Sequence, residues 1–318
     1  MTPVPLRSLA IMTMSESNSA TGGLDYATFA WDHIIYRYIF LSALVILVYD
    51  HILSFPSEVE IIWSSKLRPT SYWFLAVRYL SLVCSATFAV FYFTDLGPEV
   101  CSKVERVLEA LLLLQEGLVE LTLALRVFAM YGFNVWVLTA MFIVGNAAAA
   151  LGLWTEISLG DPQEFAPPGF TGCHTALPKA VAIRSAAAWE AQLLLDILVF
   201  GLTLRRAFVE RSVIALVQGS LIERMARDGA MYFGIIVLAN VANVFTLYFG
   251  DIIIAGILNW PTTSLSVALI CRLMLNLQKA GIGNSQNETT ELEDIHFVGQ
   301  NSRHMRPTDD PLVSLADV

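Results

Sequence analysis

Residues 135–154 read VWVLTAMFIVGNAAAALGLW. The run carries no charge over its whole length. A helix of about 20 residues, rising about 1.5 Å per residue, covers the roughly 30 Å hydrocarbon core of a bilayer. The stretch is therefore a membrane-crossing helix. Working outward, six more stretches qualify, at 34–53, 72–93, 107–129, 186–207, 229–248 and 252–275. The first and third carry internal charges. Trp260-Pro261 interrupts the last, so a kink is expected there. Tyr72, Trp73, Trp136, Trp154 and Trp189 fall near span ends, where amphipathic rings favour the interface.

Composition agrees. Of 318 residues, 56% are hydrophobic and 15% charged, against roughly 45–50% and about 25% in a soluble domain. The mean hydropathy is +0.61. With Lys+Arg at 19, Asp+Glu at 28 and net charge −9, a nucleic-acid binder driven by counterion release is excluded. The fold expected is an all-α integral membrane bundle of seven transmembrane helices. It divides into an N-terminal segment 1–33, a bundle 34–280 and a polar, acidic tail 281–318. The tail contains Pro307 and Pro311 and reads as disordered. The opening residues do not read as a secretory signal, since the apolar run at 9–14 is shorter than the usual apolar region of one.

Basic residues set the orientation. With the N-terminus outside, the inner side holds Lys66, Arg68, Arg126, Arg205, Arg206, Arg211, Arg224, Arg227, Arg272, Lys279, Arg303 and Arg306. Short-loop Lys and Arg prefer the cytoplasm. The expectation is N-terminus out and C-terminus in, with the plasma membrane favoured over an endomembrane. Cys84 and Cys271 fall within spans. Cys101 and Cys173 both land outside, where disulfides persist. A bridge between them would pin the long outer loop to the third span, against the alternative of two unrelated thiols. The sequon at Asn287 lies in the inner tail and is expected to stay unmodified.

Ionisable groups inside a span are costly unless they face the bundle interior. Glu109, Glu116 and Glu120 are spaced by 7 and 11 residues. At about 100° per residue that puts them within roughly 20° of one line on the third span. Glu190 and Asp196 on the fifth span, Asn240 and Asn243 on the sixth and Asn259 on the seventh complete a possible polar cavity. The carboxylates point to a ligand or cation site. Interhelical hydrogen bonding is the competing reading and the favoured one for the two span-six asparagines. Asp50 and Arg78 fall at similar depth and read as a structural ion pair. Arg126, Arg205, Arg206, Arg211, Arg224 and Arg227 form a basic inner surface, for lipid headgroups or for a cytoplasmic signalling partner.

Several chemistries drop out. No lysine sits mid-way in the last span for a retinal linkage. The five histidines do not gather for zinc. Tyr49-Asp50 meets half of an intramembrane aspartyl protease pattern, but Tyr248-Phe249-Gly250-Asp251 lacks the glycine the other half needs. Nucleotide loops and hydrolytic triads are absent. The expectation is a non-enzyme with no cofactor and an unidentified ligand.

Three segments carry a family resemblance. They are DYATFAWDHIIYRYIFLSALVILVYDHILSFPSEVEIIW with RYLSL, LALRVFAMYG, and ERMARDGAMYFGIIVLANVAN with CRLMLNLQ. Together they resemble membrane proteins of mushroom-forming fungi that carry the domain of unknown function numbered 6533, here covering residues 26–82. The resemblance implies a multi-span topology and no catalytic residue. Two functions stay open: a receptor-like seven-span protein with an outward acidic cavity, which leads, and a proton- or cation-coupled transporter. A structural membrane protein without a ligand is the third.

Overall fold

The computed structural model describes residues 26–64, 68–94, 98–158, 179–214, 221–251 and 253–304. Among them are seven α-helices: α1 (Tyr26–Glu58), α2 (Pro69–Phe93), α3 (Pro98–Met130), α4 (Val135–Ser158), α5 (Lys179–Ile214), α6 (Leu221–Phe249) and α7 (Asn259–His304). A five-residue π-turn, Val59–Trp63, prolongs α1.

Local chemistry explains the boundaries. Pro69 opens α2, where its missing N–H would be unpaired anyway. After α3, Gly132 takes a φ of 64° and Phe133 follows at 62°. Phe133 N–H closes onto Phe128 O at 3.0 Å and Gly132 N–H onto Ala129 O at 3.1 Å, which satisfies orphan carbonyls at the helix end. Asn134 Oδ1 then accepts Trp136 N–H at 3.0 Å and caps α4. So short a turn forces α3 and α4 to run antiparallel.

The helices alternate direction throughout. At one end, here called upper, Arg37 at the start of α1 stacks over the Phe93 ring at the end of α2 (5.5 Å). There too, Lys179 Nζ at the start of α5 reaches Tyr248 O at the end of α6 (2.6 Å). At the lower end Tyr131, just past α3, donates to Leu202 O of α5 at 2.9 Å.

Five segments are long and apolar enough to cross a membrane: Thr28–Trp63, Pro69–Phe93, Val135–Thr155, Lys179–Val209 and Gly229–Phe249. They also expose large apolar side chains, Trp136 at 84% and Leu238 at 70%, as lipid-facing helices do. α3 and α7 are not among the five. α3 packs on α2, α4, α5 and α7, and α7 on α1, α2, α3 and α6. Helices so surrounded face protein more than lipid. They bury Gln115, Glu116 and Thr122 on α3, and Thr262, Thr263, Ser264 and Ser266 on α7.

Two expectations change here. Pro261 does not kink a long seventh helix. Residues 253–258 form turns, and α7 begins at Asn259 with Pro261 in its first turn, where proline is tolerated. Nor does the helix stop at residue 280. It runs on to His304, because no proline intervenes before Pro307.

Two apolar cores hold the bundle. The upper one gathers Phe40, Phe88, Tyr92, Leu112, Trp189, Leu247 and Trp260, with Phe88 4.5 Å from Trp260 and 4.6 Å from Phe40 between ring centroids. The lower one gathers Phe74, Leu123, Leu195, Val199, Phe233, Ile236 and Ile270.

Candidate functional site: a carboxyl layer between two cores

On α3, Glu116 and Glu120 follow Leu112 of the upper core and precede Leu123 of the lower. On α6, Asn240 and Asn243 sit between Ile236 and Leu247. Thr263 of α7 lies between Trp260 and Ile270. A polar layer therefore separates the two cores. Its members are spaced by one helical turn, so each pair shares a face. Glu116 and Glu120 pair this way on α3, as do Gln192 and Asp196 on α5.

Gln192 ties the layer together. Its Nε2 donates to Glu116 Oε2 at 2.7 Å and lies 3.3 Å from Glu120 Oε1. Thr263 Oγ1 reaches Glu116 Oε1 and also lies 2.9 Å from Asn259 O; its single proton serves one of them at a time. Asn240 Nδ2 donates to Asp196 Oδ2 at 2.6 Å. Glu120 Oε2 and Asp196 Oδ1 receive no protein donor, yet the two carboxyl groups lie within hydrogen-bonding reach of each other. Like charges about 4 Å apart repel by about 4 kcal/mol at an effective dielectric near 20. The pair thus calls for a positive charge, proton or cation.

A cavity of about 1040 Å³ opens beside this layer, between α3, α4 and α5. Glu116, Glu120 and Gln192 stand on its wall with Met141, Trp189 and Leu195. It extends along α3 from Arg106 to Ala124, roughly 27 Å at about 1.5 Å per residue. Glycines give it room. A Cβ at Gly117 would meet nothing within 4 Å, while at Gly145 and Gly152 it would come to 3.4 Å of Leu195 and Leu113.

The structure sorts the residues singled out from sequence. Glu116, Glu120, Asp196 and Asn240 come together, whereas Asn259 offers Thr263 only its backbone O and its side-chain amide makes no bond to the layer. Asn243 is buried in the same layer, with neither side-chain polar atom partnered. Glu109 shares their helix face but lies two turns higher, in the field of Tyr36 on α1. Glu190 accepts Tyr248 OH at 2.7 Å and forms no part of the cavity wall. Gln192 and Thr263 escaped sequence reading, although the four-residue step from Gln192 to Asp196 is a signal.

At the lower end, the expected Asp50–Arg78 pair is replaced by two others. Arg78 Nε lies 2.8 Å from Glu58 Oε2, with the two side chains only 1% and 0% exposed. Asp50 pairs with Arg272 of α7. The reason is geometric: Glu58 holds the site beside Arg78, also accepting Tyr79 OH at 2.9 Å and Trp63 Nε1 at 3.0 Å. Arg78 Nη2 donates to His51 O at 2.9 Å and stacks on Phe74, 5.6 Å from its centroid.

This lower network and the family signature coincide. Residues 38–83 match the family of unknown function DUF6533. The matched segment thus supplies Asp50, His51, Glu58, Trp63, Phe74, Arg78 and Tyr79, every member of the network except Arg272. No curated protein matches the chain.

Of the basic inner surface, Arg205 is exposed, Arg206 lies over the Tyr131 ring at 5.9 Å, and Arg126 is half-buried. The side chains of Arg211, Arg224 and Arg227 lie outside the described residues, as does Cys173. Cys101 is buried in the first turns of α3, and Cys84 and Cys271 are free and buried.

Proposed function

We propose that this chain is a receptor-like, seven-span membrane protein of fungal type, not an enzyme, whose cavity between α3, α4 and α5 receives a ligand. In this reading the membrane is the plasma membrane, the upper end faces outside and the C-terminus lies in the cytoplasm. The observation that carries it is the cavity itself, with Glu116, Glu120 and Gln192 on a mostly apolar wall beside a layer that separates two packed cores. Such a layer is where a bound charge can alter helix packing, and the ligand then acts by favouring one packing over another. Exposed Arg205 near the lower end of α5 supports a surface for a cytoplasmic signalling partner. A Cys101–Cys173 disulfide would close the outer loop over α3.

The test is labelling of sealed vesicles with a membrane-impermeant maleimide. Cys101 is buried, so Cys173 is the informative thiol. The expected result is labelling from outside after reduction, and without reduction in Cys101→Ser. Labelling of Cys173 from the cytoplasmic side overturns the orientation and with it the receptor-like reading.

The contact between Glu120 and Asp196 favours a second reading, a proton- or cation-coupled carrier. It requires flux in proteoliposomes that Glu116→Gln abolishes, whereas the receptor-like reading requires none.

A further inference from the structure

We propose that the α3–α4–α5 cavity binds an apolar organic amine, with its ammonium held by Glu116 and Glu120 and its body along the apolar wall. This deepens the receptor-like reading and rests on it.

Charge comes first. Three carboxyl groups, Glu116, Glu120 and Asp196, meet in one layer, and their hydrogen-bond donors are the neutral Gln192, Thr263 and Asn240. Asp196 is only 2% exposed, yet its Oδ1 has no donor, and neither has the Glu120 oxygen Oε2. Buried acceptors of this kind are costly unless something supplies the missing proton or cation. The cavity's own basic residue, Arg106, stands ten positions from Glu116 on the same helix, about 15 Å up the axis. It leaves the middle of the cavity acidic.

Shape comes second. A helix interior disfavours glycine, and Gly117 sits between the two glutamates without any neighbour that would exclude a Cβ. Packing does not require a glycine there. Space for a ligand beside Glu116 and Glu120 does. The surrounding wall is mostly apolar and includes Trp189, an aromatic residue of the kind that suits an ammonium. Among the described residues no three His, Cys, Asp or Glu side chains are placed to hold a metal ion between them, which disfavours a bare cation. A carboxylate or phosphate ligand would meet like charge.

The experiment uses the full chain in nanodiscs of uncharged lipid, with thermal unfolding followed in the presence of octylamine, 1-octanol or octanoate. Octylamine is expected to raise the midpoint, with the other two giving no comparable shift. Glu116→Gln and Glu120→Gln are each expected to weaken the octylamine response by about tenfold or more, as loss of a charge-assisted hydrogen bond would. Gly117→Leu keeps every carboxyl group and fills the space, and it should lose the response too. Glu60→Gln, which changes an exposed carboxylate elsewhere, should respond as the wild type does. Equal shifts with octylamine and octanol overturn the proposal and mark the cavity as a lipid-chain site. So does an absent octylamine shift, or an undiminished one in both Glu120→Gln and Gly117→Leu. Failure here with Cys173 labelled from outside leaves the receptor-like reading with a different ligand. Amine binding with Cys173 labelled from inside keeps the site and removes that reading.

Discussion

The lower network and the carboxyl layer are both buried, both polar and both built on interhelical contacts, but their charges are arranged oppositely. In the lower network each acid meets a base: Glu58 meets Arg78 and Asp50 meets Arg272. In the carboxyl layer three acids meet amides and a hydroxyl. A paired network is balanced in charge and locks α1, α2 and α7 together. An acidic layer without a basic partner is complete only with something added. The two regions therefore differ in kind, one balanced in charge and the other carrying an excess of acid.

Mutations at the two regions should differ in sign. Arg78→Leu strands the Glu58 carboxylate among buried groups. Breaking a buried pair in this way costs about 3–5 kcal/mol, so loss of the monodisperse folded protein in size-exclusion chromatography is expected. Full retention would show that the network is not a lock. Glu120→Gln acts in the other direction. It removes a like charge from beside Asp196 and supplies an amide donor, and in the ligand-free protein it should stabilise by about 1–2 kcal/mol. A fall in the unfolding midpoint would mean that the layer is already neutralised. Arg272→Ala tests the half-open part of the lower network. With Arg272 43% exposed, the expected loss is about 1 kcal/mol or less, readable in the same unfolding assay and weakened by added salt. Smallest is Gly117→Ala, whose new methyl group meets nothing. Helix propensity alone predicts a gain below about 1 kcal/mol. A loss instead would show that Gly117 is needed for close packing rather than for space.

Sequence reading reached the helices and their faces but not the partners across them. Periodicity put Glu116 and Glu120 on one inward face, and the structure keeps them there. It put Glu109 on that face too, correctly in angle. A helix face is a line some 10 Å long over seven residues at about 1.5 Å each, and Glu109 lies that far up the axis from Glu116, which meets α5 and α7. Depth matching paired Asp50 with Arg78, since both lie near the lower end. Which acid wins the guanidinium depends on the rotation of α1 about its axis and on Glu58 lying about two turns further down, and neither is encoded in spacing along one helix. Pro261 was legible as a break but not as a beginning, because a proline in a first turn and one at a kink look alike in a hydropathy profile. Gln192 and Thr263 are uncharged, so no argument from the cost of buried charge could single them out.

The π-turn after α1 bears on how relatives of this chain align. Ser64 N–H bonds to Val59 O, five residues back, at 3.1 Å, so the turn holds one residue more than an α-helical turn would. Trp63 still reaches Glu58 across that five-residue step. In ordinary α-helical winding a four-residue step places two side chains on one face. A relative one residue shorter between 59 and 62 can therefore keep the tryptophan over its glutamate and the lower network intact. The same deletion within α1 or α2 would turn every later side chain by about 100° and misplace Asp50 or Arg78. A single-residue gap in this stretch of an alignment is thus a change of winding that leaves the architecture alone.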